Sequence, residues 1–248
     1  MSEPLRAALV CGGRYHDIDY ARSELLKLLG ETPEIRTRVF EDYRNTDAIA
    51  EADFLVTYTC DLRPAPQEQE ALAAFVEGGG RWLALHGTNS VLDMLAGGVA
   101  TPRTFPKLME TLGSQFIAHP PIAPYRVTIS APDHPLVAGI EPFEADDELY
   151  LCEYHGEILP LLETRFSGEA VGFAEGDWPD DEPRLVMYLH PVGAGSVLYL
   201  TLGHCRGHYD MRPVMDYYPR VERGAWELPV FYDLLRRGLR WAAEARND

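Results

Sequence analysis

The chain holds only four cysteines in 248 residues, and they stand apart at Cys11, Cys60, Cys152 and Cys205. With no CxxC pair and no close spacing, a disulfide framework and a zinc knuckle are both excluded, and reduced thiols in a cytoplasmic protein fit best. Basic residues are also scarce: 22 Lys and Arg stand against 39 Asp and Glu, a formal net charge of −17. A phosphate backbone or an anionic membrane surface needs clustered Lys and Arg, so nucleic acid and membrane are excluded as partners. A neutral or cationic small molecule remains allowed. No apolar segment approaches the roughly 18 residues of a membrane span, and the run from Ala7 to Cys11 is too short for a signal-peptide core. The GxGxxG, Walker, HExxH and GxSxG spacings do not occur. No nucleotide cofactor is therefore expected, and no serine nucleophile is indicated.

What is present is an ordinary globular composition, 46% hydrophobic and 25% charged, with neither internal repeats nor low-complexity tracts. Residues 1–248 are expected to form one domain. Leu5 to Cys11 reads as a buried strand, Gly12-Gly13 as a turn, and Asp17 as the N-cap of an amphipathic helix carrying Tyr20, Leu25, Leu28 and Leu29. Ile35 to Phe40 and Phe54 to Thr59 are further strands with a short helix between them. Gln67 to Glu77 is a helix stopped by Gly78-Gly79-Gly80. The glycines lead into Arg81 to Ser90, RWLALHGTNS, where a short strand ends at His86-Gly87 and hands over to a helix opening at Thr88-Asn89-Ser90. This alternation predicts an α/β fold with a parallel sheet, right-handed crossovers and helices on both faces.

Beyond Ser90 the pattern loosens. Val91 to Leu95 reads as a helical turn, and Phe105 to Leu112 as a helix closed by Gly113. Pro120-Pro121 hold His119 in extended or turn geometry. Tyr125 to Ser130 alternates as a strand, and Asp147-Glu148 open another at Leu149 to Cys152. Ile158 to Arg165 and Val171 to Glu175 read as short strands, followed by a polar loop, Glu175 to Glu182, that carries Trp178. Arg184 to His190 and Ser196 to Leu202 form a hairpin. Such material would extend the sheet in antiparallel fashion. The chain closes on an amphipathic helix with Leu228, Phe231, Tyr232, Leu235, Leu239 and Ala242 at helical spacing.

In an open α/β sheet, ligands bind outside the carboxyl ends of the strands. His16 and His86 follow predicted parallel strands and His204 ends a later one, while His119 and the pair Asp147-Glu148 come from the irregular middle. Imidazole mixed with carboxylate suits proton transfer near neutral pH. The same histidines, His16, His86, His119 and His204, could instead bind a divalent metal with a carboxylate, and no local spacing decides between the two. His134, His155 and His190, in turns or before a hairpin, are expected to be structural. Cys60 and Cys205 are read as buried thiols rather than nucleophiles.

The motifs YHD, VTYTCD, EQEALAAFVEGGGRWLALHG, FIAHP, DHPLVAGI, DDELY, GSVLYLTLGH and LRRGLRWA occur in that order. As an ordered set, spanning roughly Leu5 to Ala243, they resemble the ThuA-like family, the trehalose-utilisation proteins. The resemblance implies a flavodoxin-like, class I glutamine amidotransferase-like three-layer sandwich with a mostly parallel sheet and an antiparallel extension. It also implies loss of amidotransferase chemistry, since His86 stands at the elbow where those enzymes carry a catalytic Cys. A role in carbohydrate metabolism follows, on a sugar or 3-keto-sugar related to trehalose. In that setting Glu148 and His86 are the expected acid/base pair, and His119 and His204 orient the substrate or polarise its carbonyl. His16, Asp147, Tyr150, Tyr209 and Trp178 are expected to bind substrate. A non-catalytic sugar-binding or regulatory protein and a metal-dependent hydrolase are the alternatives. An exposed sheet edge or the aromatic Cys205 to Trp226 loop could support a homo-oligomer.

Overall fold

Two helical faces enclose the sheet of the computed structural model, which describes residues 3–244. The first half alternates without exception: β1 (Leu5–Gly13), α1 (Ile18–Leu29), β2 (Ile35–Phe40), α2 (Thr46–Ala50), β3 (Phe54–Cys60), α3 (Pro66–Glu77) and β4 (Arg81–Leu85). A short hairpin, β5 (Asp93–Leu95) and β6 (Gly98–Ala100), follows, then α4 (Pro106–Leu112) and β7 (Ser114–Ala118). The rest comprises β8 (Ala123–Ile129), β9 (Phe143–Asp147), β10 (Leu151–Tyr154), β11 (Leu159–Glu169), β12 (Asp177–Val192), β13 (Gly195–Leu200) and α5 (Pro229–Ala243).

The main sheet runs β2-β1-β3-β4-β13-β12-β11-β8-β9. Pairing is parallel from β2 through β13 and antiparallel from there to the edge. This is the flavodoxin-like order with an antiparallel extension, and it turns back between β1 and β3, the position where such sheets open a crevice. The period-2 alternation of the strands explains the two cores. Ala7, Leu9 and Cys11 of β1 face α1 and α5, together with Val56, Leu83 and Leu198. Ala8 and Val10 face the other way, toward Ile49, Leu72, Val76 and Leu108 of α2, α3 and α4. With both faces covered, β3 is buried along its whole length, which is why it is apolar apart from Thr57, whose hydroxyl bonds Thr88 and Trp82 in the interior, and Thr59, whose hydroxyl bonds Tyr43.

Local signals account for the helix ends. Asp17 Oδ1 accepts the Tyr20 N–H at 3.1 Å, capping α1, and Gly113 closes α4 at φ 79. Among the described residues no helix is long and apolar enough to cross a membrane.

Several expected elements are corrected. The helix expected after Gly87 is a single 3₁₀ turn, His86–Asn89, because the Thr88 hydroxyl turns back to the Leu85 carbonyl at 2.7 Å and no amphipathic run follows. The helical turn expected at Val91 to Leu95 is instead the start of the β5–β6 hairpin. Val171 to Glu175 forms a turn and not a strand, and most of the expected Glu175 to Glu182 loop belongs to β12. The β11–β12 pair extends past the sheet as a mostly exposed arm, where only Phe166 and Trp178 pack inward and the alternation that marks a strand disappears.

Candidate functional site

The carboxyl ends of β1, β3 and β4 each carry a residue in the left-handed region: Tyr15 at φ 69, Asp61 at φ 55 and His86 at φ 45. Non-glycine residues adopt such angles at a cost, and they cluster where side chains must be aimed at a site. At His86 the sharp turn is possible because Gly87 packs against β3: a Cβ there would lie 2.6 Å from the Thr59 carbonyl oxygen and 2.8 Å from Cys60 Cβ. The chain therefore makes a tight elbow at the end of β4, and the elbow presents an imidazole.

That imidazole meets three other groups. His86 Nε2 is 2.8 Å from His16 Nε2 and 3.5 Å from Glu148 Oε2. His16 Nε2 lies 3.6 Å from the same oxygen, and His204 Nδ1 lies 3.1 Å from Glu148 Oε1. His119 stands outside this group, its Nε2 3.7 Å from Glu148 Oε1. Arg206, which sequence reasoning did not single out, donates to Glu148 Oε1 at 3.2 Å. Tyr150 places its hydroxyl 3.3 Å from His86 Nε2.

The neighbours of these groups fix their protonation. His86 Nδ1 donates to the Thr201 carbonyl at 2.7 Å, which turns its Nε2 toward His16 and Glu148. His204 Nε2 donates to Glu222 Oε2 at 2.8 Å, which leaves Nδ1 on the Glu148 side. Burial disfavours a charged His204, but the Glu148 and Glu222 carboxylates outweigh it and push the imidazole up to about 9. His16 has no such pair of partners, and burial, opposed only in part by Glu148, pushes it down to about 3. Burial alone would raise Glu148; His204, His119 and His16 hold it well below the usual carboxylate range.

Asp147 has a different task from the substrate binding expected of it. It is fully buried, and its carboxylate accepts the backbone N–H groups of Glu148 at 2.8 Å, Gly203 at 3.1 Å and Ala225 at 2.8 Å, with His204 reaching both oxygens at 3.2 Å. Occupied in this way, it ends β9 and fastens Glu148 beside the β13 terminus. This is also why the strand expected from Asp147 starts only at Leu151.

Glu148, His16, His119, Tyr150 and Arg206 line a cavity of about 110 Å³, closed by Leu92, Met94, Val99, Phe116, Phe173 and Met211. His119 and Arg206 also belong to the wall of a larger cleft of about 580 Å³, which His204, Tyr218, Glu222 and Arg223 line as well. His86 is fully buried behind His16. Tyr209 is exposed, with its ring under the Arg212 guanidinium, and is absent from the lining of both cavities. Trp178 lies beneath Arg184 and donates to the Glu175 carbonyl, also away from both. Cys60 is in the cavity wall, but burial, then Glu148, pushes its thiol well above the ordinary value, so no thiolate is held there. His190 bonds two backbone carbonyls, of Glu157 and Glu110, a structural role.

Glu222 and Arg206 could not be found from their spacing. Their backbones bond each other across the loop, at 2.9 and 2.8 Å, and only this pairing brings both charges to His204.

The comparisons with known proteins agree with this architecture. The family described as ThuA, trehalose utilisation, matches residues 7–220. A ThuA-like protein from Bacteroides uniformis ATCC 8492 superposes with a TM-score of 0.67 at 15% identity, covering 98% of this chain and 93% of that one. One from Parabacteroides merdae ATCC 43184 gives 0.60 at 16% identity over 97% and 90%. A protein described as a component of GMP synthase, from Thermoplasma acidophilum, gives 0.53 at 10% identity over 99% and 98%, a likeness of fold. No curated protein sequence matches the chain.

Proposed function

The chain belongs to the ThuA family, described by trehalose utilisation, and from that premise we propose that it is an enzyme acting on a sugar or 3-keto-sugar by proton transfer beside the carbonyl, leading to isomerisation or glycosidic cleavage. One observation carries the reading. The Glu148 carboxylate, 3% exposed, stands 3.1 to 3.7 Å from nitrogens of His204, His86, His16 and His119 in the wall of a cavity closed by apolar side chains.

A ketone at sugar carbon 3 acidifies the C–H at carbon 2, because the electron pair left behind moves onto the carbonyl oxygen. Glu148, kept ionised by its neighbours, accepts that proton. The guanidinium of Arg206, in the same wall, offsets the charge that develops on the oxygen. The pair then returns in one of two ways. It either expels the oxygen substituent at carbon 1, which takes a proton from an imidazole, or, once the hydroxyl proton at carbon 2 has passed to the oxygen at carbon 3, carbon 3 takes the proton back from Glu148 and the carbonyl is left at carbon 2. His119, which reaches the cavity beside Glu148, is the imidazole placed for this transfer, while His16 and His86, 2.8 Å apart, position the carboxylate from behind. Leu92, Met94, Val99, Phe116, Phe173 and Met211 make the rest of the wall apolar, which strengthens each of these interactions. A second sugar ring would occupy the polar cleft that shares His119 and Arg206.

Trehalose, 3-ketotrehalose and 3-ketoglucose, each incubated with the full chain and followed by NMR, test the reading. New products from a keto-sugar are expected with the native chain and not with Glu148→Gln. Turnover that survives this substitution would remove Glu148 from its role, and binding without turnover would favour a non-catalytic sugar-binding protein.

A further inference from the structure

We propose that His16 Nε2, His86 Nε2, His204 Nδ1 and Glu148 Oε2 form a binding site for one divalent first-row transition-metal ion. The donor atoms offered by these residues lie within 4.8 Å of one another, and the residues themselves are at most 6% exposed. Two ligands on one ion, each about 2.0–2.1 Å away, are separated by roughly 2.9 Å at a right angle and 3.3 Å at a tetrahedral one. The 2.8 Å between His16 and His86 and the 3.5 and 3.6 Å from each to Glu148 Oε2 bracket those values.

The surroundings of the ligands point the same way. Histidines that bind metal usually donate the other ring N–H to a carbonyl or carboxylate, which sets the tautomer and aims the lone pair. His86 does so with the Thr201 carbonyl and His204 with Glu222. In the ion-free chain a proton shared between His16 and His86 and another on His204 Nδ1, 3.1 Å from Glu148 Oε1, hold the four groups together; an ion would replace those protons with one charge bound by all four. The Glu148 oxygens divide the work: Oε1 takes Arg206 and faces His204, while Oε2 faces His16 and His86. His119, one of the histidines expected as a ligand, meets only Oε1 among these groups and stays outside the set. Three imidazoles with one carboxylate suit Zn²⁺, Mn²⁺, Fe²⁺ or Co²⁺, whereas Mg²⁺ and Ca²⁺ need oxygen donors.

The proposal goes beyond the sugar reading and does not depend on it, because its test reads metal and not turnover. The chelator-stripped full chain is titrated with Zn²⁺ and Mn²⁺ by calorimetry, with Mg²⁺ and Ca²⁺ in parallel, and metal content is measured after dialysis. One Zn²⁺ or Mn²⁺ per chain is expected, with Mg²⁺ and Ca²⁺ silent. Affinity should fall by at least about 100-fold in His16→Ala and His86→Ala and hold in His155→Ala, whose ring lies outside the cluster beside Glu153. X-ray absorption on the zinc-loaded native chain needs no variant to fold, and should return imidazole nitrogens and one oxygen at about 2.0–2.1 Å. No stoichiometric ion, a sulfur ligand, or a folded His86→Ala chain that binds as tightly as the native one would overturn the proposal. A chain that binds the ion and turns over no sugar leaves it standing while removing the enzymatic reading.

Discussion

Both carboxylate oxygens of Asp147 accept the backbone N–H of His204, each at 3.2 Å, so the residue preceding Glu148 positions the imidazole that Glu148 faces. Asp147→Ala would strand the N–H groups of Gly203, His204 and Ala225 in the interior. Unpaired buried donors cost about 1–3 kcal/mol each and do not simply add, so a loss of about 3 kcal/mol is expected. For a chain of this length that corresponds to a melting temperature lower by roughly 6–12 °C. Asp147→Asn keeps one acceptor oxygen and should fall between the two. A melting temperature unchanged in Asp147→Ala would show that the clasp carries no stability.

Glu148→Gln keeps the shape of the side chain and removes its charge. Keto-sugar turnover should drop by about 10²–10⁴-fold, the usual contribution of a positioned base, while the chain stays folded by circular dichroism. A loss confined to KM with kcat unchanged would make Glu148 a binding group instead.

How far the sequence led is clearest at this site. The parallel half was legible because strands buried on both faces and helices with one apolar stripe leave distinct periods, and because strand ends in such sheets converge; His16, His86 and His204 were found by that rule alone. Glu148 was found for its place at the head of an apolar run, although the strand it was meant to open begins only at Leu151. Arg206 and Glu222 were not legible, since their positions depend on a loop folding back on itself. Trp178 and Tyr209 were chosen by residue type, and type does not say which cavity a ring faces. The β11–β12 arm hid for the opposite reason, since only Phe166 and Trp178 are half-buried along it and two residues print no pattern.

Gly87 is where the β4 elbow depends on the absence of a side chain. In Gly87→Ala the new Cβ meets backbone and side-chain atoms of β3 at 2.6 and 2.8 Å, and the strand cannot yield without moving its neighbours. Overpacking of this kind costs about 1–3 kcal/mol. Because the displaced residue adjoins His86, turnover should fall by more than the stability loss explains when both are measured well below the melting temperature. Full activity in Gly87→Ala would mean that the elbow tolerates adjustment and that His86 need not be held where it is.

Glu222 touches His204 and Arg206 but does not line the inner cavity, so its role is positioning. Glu222→Gln keeps a hydrogen-bond acceptor for His204 Nε2 and loses the charge; Glu222→Ala loses both. Partners of this kind are worth about 10–100-fold, and the loss should appear in kcat, with Gln recovering part of it. Equal effects of Gln and Ala would place the whole contribution in the charge.

The buried histidines should also shape stability against pH in the metal-stripped chain. His204 is raised from an ordinary 6.5 to about 9, so its stabilisation is complete below about pH 6.5 and is lost as pH climbs through 9. His16 is lowered to about 3; as pH falls below 6.5 the unfolded chain gains a proton that the folded one refuses, and stability declines toward pH 3. Glu148, held below its ordinary 4.5, adds to the acid loss, since its stabilisation is present above 4.5 and disappears as pH falls through the lower folded value. Together these groups place the maximum near pH 6.5. Above pH 9 the buried thiols Cys11 and Cys205, each raised to about 12, contribute a further decline, so the His204 effect is read between pH 6.5 and 9. Thermal melts across that window should fall with pH in the native chain and flatten in His204→Asn, while His16→Asn should relieve part of the acid limb. An alkaline decline of the same size in His204→Asn would assign it to another group.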